Sequence, residues 1–307
     1  MFLRTPDGYV VHYRRWREGR LAFGEEEGTG DARPTLVVVH GAMVWGTDWY
    51  ARFAEQVSVK CDVLVYDQPG HGLTMGRPAE HSTFKRSVED LRLVIDLLRL
   101  RNVVLFGASR GWCIVTDYVE QFGLDGVRGV VCEDFVPCTV PEPKQESGLD
   151  GDLAAMAYVK DNDHFAFAKR LGRLVGHNDP ASRVFDLYPA CMPYFKDLVV
   201  GSYADSFERS LAVLDKAAWV VGMSETVAWD GRAKFAAMRD AALPALVLHG
   251  TSSHIVTTSD ARALAGLLGP NARLVAFEEC SHAVVASREA DCVRACLAFL
   301  AEAAPPS

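Results

Sequence analysis

The sequence has no excess of basic residues, no long apolar run and no signal-peptide pattern. Its 307 residues contain 32 lysines and arginines against 40 aspartates and glutamates, which gives a formal charge of −8. Such a balance offers no basic surface for phosphate groups, so nucleic acid and anionic membranes are not expected partners. The start, MFLRTPDGYVVHYRRW, lacks a leader pattern, and no window approaches about eighteen uninterrupted apolar residues. We therefore expect a cytoplasmic protein.

The cysteines also lack the spacing of a metal or redox site. All eight are scattered through apolar segments, and no CxxC pair is present. They are interpreted as buried, reduced thiols, and no metal site is predicted. With 49% hydrophobic and 23% charged residues, the chain is long enough to bury a large core.

Short, β-branched apolar runs recur along the chain, which is typical of strands buried on both faces. The main runs are residues 35–41, 61–67, 102–107, 128–134, 244–250 and 272–279. Helical periodicities lie between most of them, at 84–100, 112–122 and 285–302. Because strands alternate with helices, the sequence predicts a mostly parallel sheet with right-handed crossovers.

Residues 138–240 interrupt this alternation. Helical patterns are found there at 150–159, 161–175, 202–220 and 224–239. Since both ends of the interval must rejoin neighbouring strands, we interpret it as a helical lid over the carboxyl ends of the strands, where open α/β sheets bind ligands. The predicted domains are a core of residues 1–137 and 241–307 and a cap of residues 138–240.

One serine stands in a distinctive turn. The segment Gly107-Ala108-Ser109-Arg110-Gly111 follows an apolar strand and precedes a helix, the context in which GxSxG indicates a nucleophile elbow. Glycines suit such a turn because its backbone is strained and leaves no room for side chains. The sequence therefore predicts Ser109 as a nucleophile.

Two histidine-bearing segments end other predicted strands. In His40-Gly41-Ala42, the backbone N–H of Ala42 could join that of Arg110 in an oxyanion hole. His40 itself is expected either to hold its loop or to contact substrate, and it is included among the candidate substrate-binding residues. His282, in FEECSHAV after the last strand, has the basicity to take the serine proton.

These segments together resemble the α/β-hydrolase fold superfamily over nearly the whole chain. The turn YDQPGHGLT at residues 66–74 is similar to the family's usual DxPGxGxS turn. The resemblance implies an α/β-hydrolase fold, with a mostly parallel eight-stranded sheet and a helical cap inserted after the sixth strand. It also implies a catalytic Ser109 and His282, with oxyanion donors at Ala42 and Arg110 and no cofactor.

The usual acid position of that family holds no carboxylate here. It lies three residues beyond the glycine that ends the seventh strand, and Ser253 of HGTSSHIV occupies it. Asp260 is predicted to lie inside the following helix and face away. We predict Asp134, at the end of the sixth strand, as the acid. An acid at this strand resembles the arrangement in certain haloalkane dehalogenases, a fungal zearalenone lactonase and the cofactor-free quinolone dioxygenases. Glu133 is the alternative if the strand ends earlier.

Aromatic residues and one arginine complete the expected site. Trp45, Phe135 and Trp219 are predicted to line an apolar pocket that accepts a ring. The Arg110 side chain is expected either to bind an anionic substrate or to pair with a carboxylate of the cap.

Three functions are compatible with this pattern. The leading prediction is a serine hydrolase that cleaves a small, apolar or aromatic ester or lactone through a Ser-His-Asp triad. The alternative is a cofactor-independent dioxygenase that cleaves a 3-hydroxy-4-quinolone-type ring, in which the His-Asp pair deprotonates the substrate and the serine only hydrogen-bonds it. A non-catalytic ligand receptor is the third, because fold alone does not determine function. A small molecule is the expected partner, and the sequence leaves a homodimer open.

Overall fold

The structure is a computed structural model that describes residues 1–23, 33–139, 203–226, 228–253 and 255–304. The helices predicted at 150–159 and 161–175 lie outside the described residues. Within the described ranges, none of the helices is long and apolar enough to span a bilayer.

The described strands form one nine-stranded sheet. They are β1 Phe2–Arg4, β2 Val10–Arg17, β3 Arg20–Ala22, β4 Thr35–Val39, β5 Asp62–Tyr66, β6 Val103–Ala108, β7 Val127–Glu133, β8 Ala245–Gly250 and β9 Ala272–Phe277. Eight follow the order β1-β2-β5-β4-β6-β7-β8-β9, and the short β3 pairs with β2. Strands β4 to β9 are parallel, whereas β1 to β3 pair antiparallel. The predicted mostly parallel sheet is confirmed. Without β3, β7 and β8 are its sixth and seventh strands.

Helices cover both faces of this sheet. They are α1 Gly46–Trp49, α2 Ala51–Val57, α3 Phe84–Leu97, α4 Arg110–Phe122, α5 Tyr203–Ala212, α6 Lys216–Thr226, α7 Ala236–Asp240, α8 Thr258–Leu268, α9 Val284–Ser287 and α10 Glu289–Ala303. The core consists of two apolar layers. One contains side chains of α3, α4 and α8, and the other contains side chains of α2 and α10.

Strand β4 illustrates why the strand sequences are continuously apolar. Val37 and Val39 pack in the first layer, while Leu36 and Val38 pack in the second. All four side chains are fully buried. Because successive residues of a strand face opposite sides, a strand covered on both sides needs an apolar residue at every position.

The structure corrects the predicted helices near residue 220. Residues 202–220 were expected to form one helix, but α5 ends at Ala212 and α6 begins at Lys216. Between them, the Asp215 carboxylate accepts a hydrogen bond from the Ala218 N–H at 3.1 Å, which starts a new helix. The prediction of one helix over 224–239 was wrong. Residues 224–226 end α6, the described residues from 228 to 235 lie outside any helix, and α7 covers Ala236–Asp240.

An Asp-Gly turn explains the second error. The Asp230 carboxylate accepts a hydrogen bond from the Arg232 N–H at 3.0 Å, and Asp230 forms a bridge with Cys138. Aspartate followed by glycine is a strong turn signal, and here it outweighs the helical periodicity of the neighbouring residues.

Candidate active site

The serine lies on a sharp turn between β6 and α4. Ser109 has φ 47° and ψ −122°, a conformation that L-residues rarely adopt. A Cβ atom at Gly107 would lie 2.6 Å from the Trp112 Cα, and one at Gly111 would lie 2.0 Å from the Val39 carbonyl oxygen. Both positions therefore require glycine. The Ser109 N–H donates to the Glu133 carbonyl at 2.9 Å, which fixes the turn against β7.

Ser109, His282 and Asp134 form a hydrogen-bonded line. The His282 Nε2 lies 3.1 Å from the Ser109 Oγ, and its Nδ1 lies 2.8 Å from the Asp134 Oδ2. An ionised carboxylate can only accept, so Nδ1 carries an imidazole proton and Nε2 faces the serine hydroxyl. The three residues come from β6, β7 and the loop after β9, whose carboxyl ends meet at one edge of the sheet.

Asp134 is held in a fully buried position directly after β7. Its φ of 46° lies in the left-handed region, where an aspartate is tolerated better than most residues. Burial by itself raises the pKa of this carboxyl, but hydrogen bonds from His249 and His282 outweigh burial and leave the pKa below its ordinary value. The carboxylate is therefore ionised at neutral pH.

Two further side chains contact this carboxylate, and the sequence reasoning missed both. The His249 Nδ1 lies 2.7 Å from Asp134 Oδ1, and the Ser253 hydroxyl donates to Oδ2 at 2.6 Å. Ser253 stands at the family's usual acid position, and its hydroxyl bonds to the Asp134 carboxylate. The sequence did contain one indication of the His249 contact: His249 lies at the end of β8, and β8 pairs with β7, the strand that Asp134 follows.

Neither alternative carboxylate contacts His282 in the described structure. Glu133 points into the opposite layer, where it accepts hydrogen bonds from the Tyr50 hydroxyl at 2.7 Å and the Val285 N–H at 2.8 Å. Burial raises the pKa of this carboxyl. Asp260 lies in the first turn of α8, where it forms a capping box with Thr257.

The N–H groups of Ala42 and Arg110 belong to two segments that lie close together. A Cβ atom at Gly41 would lie 3.3 Å from the Ser109 Cβ, so the loop after β4 contacts the elbow. Within the described part of the chain, neither N–H has a protein acceptor. The Arg110 N–H is also at the start of α4, where the helix leaves its first donors unsatisfied. Both N–H groups are therefore free to donate to an acceptor outside the described protein.

His40 occupies a structural position, which corrects its inclusion among the substrate-binding candidates. The ring is fully buried, with Nδ1 2.7 Å from the Gly41 carbonyl oxygen. Its Nε2 accepts the Gln68 N–H at 2.9 Å. Burial lowers the pKa of His40 to about 4, so the ring is neutral. Both nitrogens are used to hold the loop, and none remains for substrate.

Within the described residues, the Arg110 side chain contacts neutral groups. It is buried, and its Nη1 donates to the Gln68 Oε1. Its Nε lies 3.5 Å from the Gly222 carbonyl oxygen, and the guanidinium lies 4.9 Å above the Phe84 ring. The described carboxylates do not form an ion pair with it. Because Gln68 also donates to the His40 carbonyl, the side chain links the elbow to the loop that carries Ala42.

The three expected pocket aromatics differ in exposure. Trp45 is partly exposed, and its Nε1 donates to the Thr47 hydroxyl at 2.9 Å. Trp219 is 8% exposed on α6. Phe135 is 2% exposed and packs in the core, 6.2 Å from the ring of Trp229. Among the described residues, no cluster of three histidine, cysteine or acidic side chains could hold a metal ion.

Comparisons with known proteins give the same fold. The family model of the α/β hydrolase fold matches residues 34–288. A bifunctional esterase/perhydrolase from Acinetobacter calcoaceticus is 22% identical, covering 97% of this chain and 99% of that protein. A non-heme haloperoxidase from Rhodococcus erythropolis is 24% identical, covering 92% of each. The solved enol-lactonase from Burkholderia xenovorans superposes with a TM-score of 0.69 at 16% identity, covering 98% of this chain and 100% of that one.

The matched residues include the loop after β4, the elbow, the end of β7 and His282. Sheet order, elbow geometry and family match therefore agree, and this chain belongs to the α/β-hydrolase fold family.

Proposed function

We propose that this protein is a serine hydrolase that cleaves a small, apolar or aromatic ester or lactone. The proposal rests on the hydrogen-bonded line from Ser109 through His282 to the buried Asp134. A serine hydroxyl becomes an effective nucleophile at neutral pH when a positioned imidazole takes its proton.

The reaction begins when the Ser109 Oγ attacks the substrate carbonyl carbon while its proton passes to the His282 Nε2. The carbonyl oxygen becomes an oxyanion, which the Ala42 and Arg110 N–H groups bind. The carbon–oxygen bond to the leaving group then breaks, and His282 returns the proton to that oxygen. Water, deprotonated by His282, attacks the acyl-serine ester, releases the acid and restores Ser109. Asp134 stabilises the imidazolium in both halves.

The names of related proteins support this substrate class. One relative is named an esterase/perhydrolase and one structural neighbour an enol-lactonase, so ester and lactone cleavage both occur within this fold. The haloperoxidase names describe those relatives, and we propose no halogenation for this chain.

We also propose that residues 138–240 cover the site as a cap. Two described contacts support this: the Ser210 hydroxyl on α5 accepts the Trp45 N–H at 2.8 Å, and the Gly222 carbonyl on α6 faces Arg110. Hydrogen exchange should be faster in this segment than in the strands and should slow when a substrate analogue binds. A segment as protected as the sheet, with and without ligand, would contradict a lid.

A cytoplasmic location is proposed as well, because the seven described cysteines are free thiols. Fractionation of the source cells would test it, and recovery outside the cytoplasm would refute it.

Labelling with a fluorophosphonate tests the central assignment. We expect one adduct on Ser109 and none on Ser109→Ala, together with hydrolysis by the wild type of p-nitrophenyl esters or lactones. Ser253→Ala is the matched control for the site of labelling: it removes another hydroxyl near the site, keeps the elbow, and should still form its adduct on Ser109, at a rate that its lost bond to Asp134 can lower. No adduct, or an adduct on another residue, would refute the proposal. In that case, oxygen consumption with a 3-hydroxy-4-quinolone that survives Ser109→Ala would indicate the dioxygenase, and ligand binding without turnover would indicate a receptor.

A further inference from the structure

The Asp134 carboxylate lies between two histidines. One oxygen, Oδ2, accepts from His282 at 2.8 Å and from Ser253 at 2.6 Å. The other, Oδ1, accepts from His249 Nδ1 at 2.7 Å and from the Gly250 N–H at 3.2 Å. Because an ionised carboxylate only accepts, both histidines must donate from Nδ1. Only His282 continues to Ser109, so the assigned mechanism leaves His249 without a role.

His249 is held more firmly than the histidine next to Ser109. Its side chain is fully buried at the end of β8, whereas that of His282 is 14% exposed on a loop. On its far side, the His249 Nε2 lies 3.0 Å from the Thr258 hydroxyl in α8. Both ring nitrogens of His249 are therefore hydrogen-bonded, one to Asp134 and one to Thr258 of α8. The ring is held in place, and it can hold the Asp134 carboxylate in one orientation.

The Asp134 carboxylate needs a hydrogen-bond donor that fixes its orientation. Its terminal torsion is broad and nearly two-fold, so staggering alone does not fix its plane. Without His249, Oδ1 would keep only the longer bond from Gly250. We propose that His249 is a positioning residue that orients the Asp134 carboxylate toward His282 and draws part of its negative charge away from that histidine. This inference rests on the proposed function.

The proposal predicts a shift in the pH dependence of the reaction. Removal of a donor from Oδ1 leaves more charge on the carboxylate beside His282, which favours the imidazolium and moves the acid limb of kcat/KM to higher pH. Among the described residues, the other titratable groups around Asp134 are Glu133, Cys132 and Cys280, and burial raises the pKa of all three. The two thiols stay neutral across the acid limb. Glu133 interacts electrostatically with His282, but it is the same in the wild type and in every variant compared, so it does not account for a difference between them.

Two amide substitutions separate the two nitrogens of His249. The amide of His249→Asn reaches the Nδ1 position and can still donate to Asp134, whereas the amide of His249→Gln reaches the Nε2 position and serves only Thr258. For His249→Gln we expect kcat lowered about 10-fold, KM little changed, and the acid limb raised by roughly 0.5 to 1 pH unit. His249→Asn should keep the acid limb of kcat/KM at its wild-type pH and should keep most of the wild-type kcat.

Thr258→Val is the matched control, because it removes the contact at Nε2 and leaves Nδ1 on Asp134. It should lower the melting temperature without moving the acid limb. The inference is overturned if His249→Gln keeps the wild-type limb and kcat, or if His249→Asn and His249→Gln move both quantities equally.

A measurement on the unmodified protein covers the case in which these variants do not fold. Proton NMR of the wild type should show two low-field imidazole N–H resonances, one from each histidine on Asp134, and both should shift together as the pH is lowered. A single resonance, or a second one that does not shift with the first, would overturn the inference. This readout needs no turnover, so failure of the proposed function would appear separately, as a protein with both resonances and no serine adduct.

Discussion

Asp134→Asn is the substitution for which the structure gives the most specific expectation. Asparagine has one carbonyl acceptor and one NH₂ donor, so it can satisfy only one side of the carboxylate site. On one side stands the Gly250 N–H, a backbone donor that cannot change its role. The asparagine carbonyl therefore faces Gly250, and its NH₂ faces the His282 Nδ1. That ring must then carry its proton on Nε2, where it cannot accept a proton from Ser109.

The size of the effect follows from this forced tautomer. The same exchange in a comparable serine enzyme lowers the rate by about 10⁴, and we expect a loss on the order of 10³ to 10⁴ in kcat. A loss of 10³ corresponds to about 4 kcal/mol of transition-state stabilisation. Folding should suffer less, by about 1–3 kcal/mol, because the Ser253 hydroxyl can rotate to accept from the new NH₂ group.

Initial rates with the best ester or lactone, together with thermal unfolding, would measure both quantities. Asp260→Asn is the control, since this carboxylate only caps α8 and should leave the rate within about two-fold. Glu133→Gln should lower the stability of the fold, because it weakens the hydrogen bonds from Tyr50 and Val285. It should lower the rate by less than about 10-fold. Near-native activity of Asp134→Asn, combined with a large loss in either other variant, would refute the assignment of the acid.

Three further outcomes are expected. Adding Ser253→Asp to Asp134→Asn should recover at least about 10-fold of the lost rate, because Ser253 already contacts the oxygen that faces His282; no recovery would count against this shared acid position. Gly111→Ala should prevent soluble expression, since its Cβ would meet the Val39 carbonyl. Gly266→Ala has free space around its Cβ and should stabilise α8 by about 0.5–1 kcal/mol. Equal effects of the two variants on stability would contradict the packing around Gly111. The folded-state pKa of Asp134 lies below its ordinary value, so this carboxylate stabilises the fold above about pH 4 and the stabilisation is lost on acidification. The difference in melting temperature between wild type and Asp134→Asn should thus shrink from pH 6 to pH 3, and a constant difference would exclude this linkage.

Several features could be predicted from the sequence because their causes are local. Strand runs such as Thr35–Val39 are apolar at every position, which indicates cover on both faces. The elbow could also be predicted, since Gly107 and Gly111 are required by steric contacts within one tight turn and with the next strand. The position of Asp134 near the elbow could be predicted from topology, because the strand it follows lies beside the strand that leads to Ser109.

The cap helices near residue 220 show where local reasoning failed. Periodicity predicted a helix over 224–239, but the bonds of Asp230 and the bridge to Cys138 form a turn there. That bridge joins segments about ninety residues apart in the chain, which no periodicity can reveal.

The partners of the acid were decided by tertiary structure alone. Asp134 and His249 are 115 positions apart, and they meet because β7 and β8 pair in a register that sets Glu133 opposite Leu248. A one-residue change in that register would turn His249 to the other face of the sheet. The sequence determines that a carboxylate follows β7 and a histidine ends β8. Whether they touch depends on strand register and on the left-handed turn at Asp134, which exist only in the folded chain.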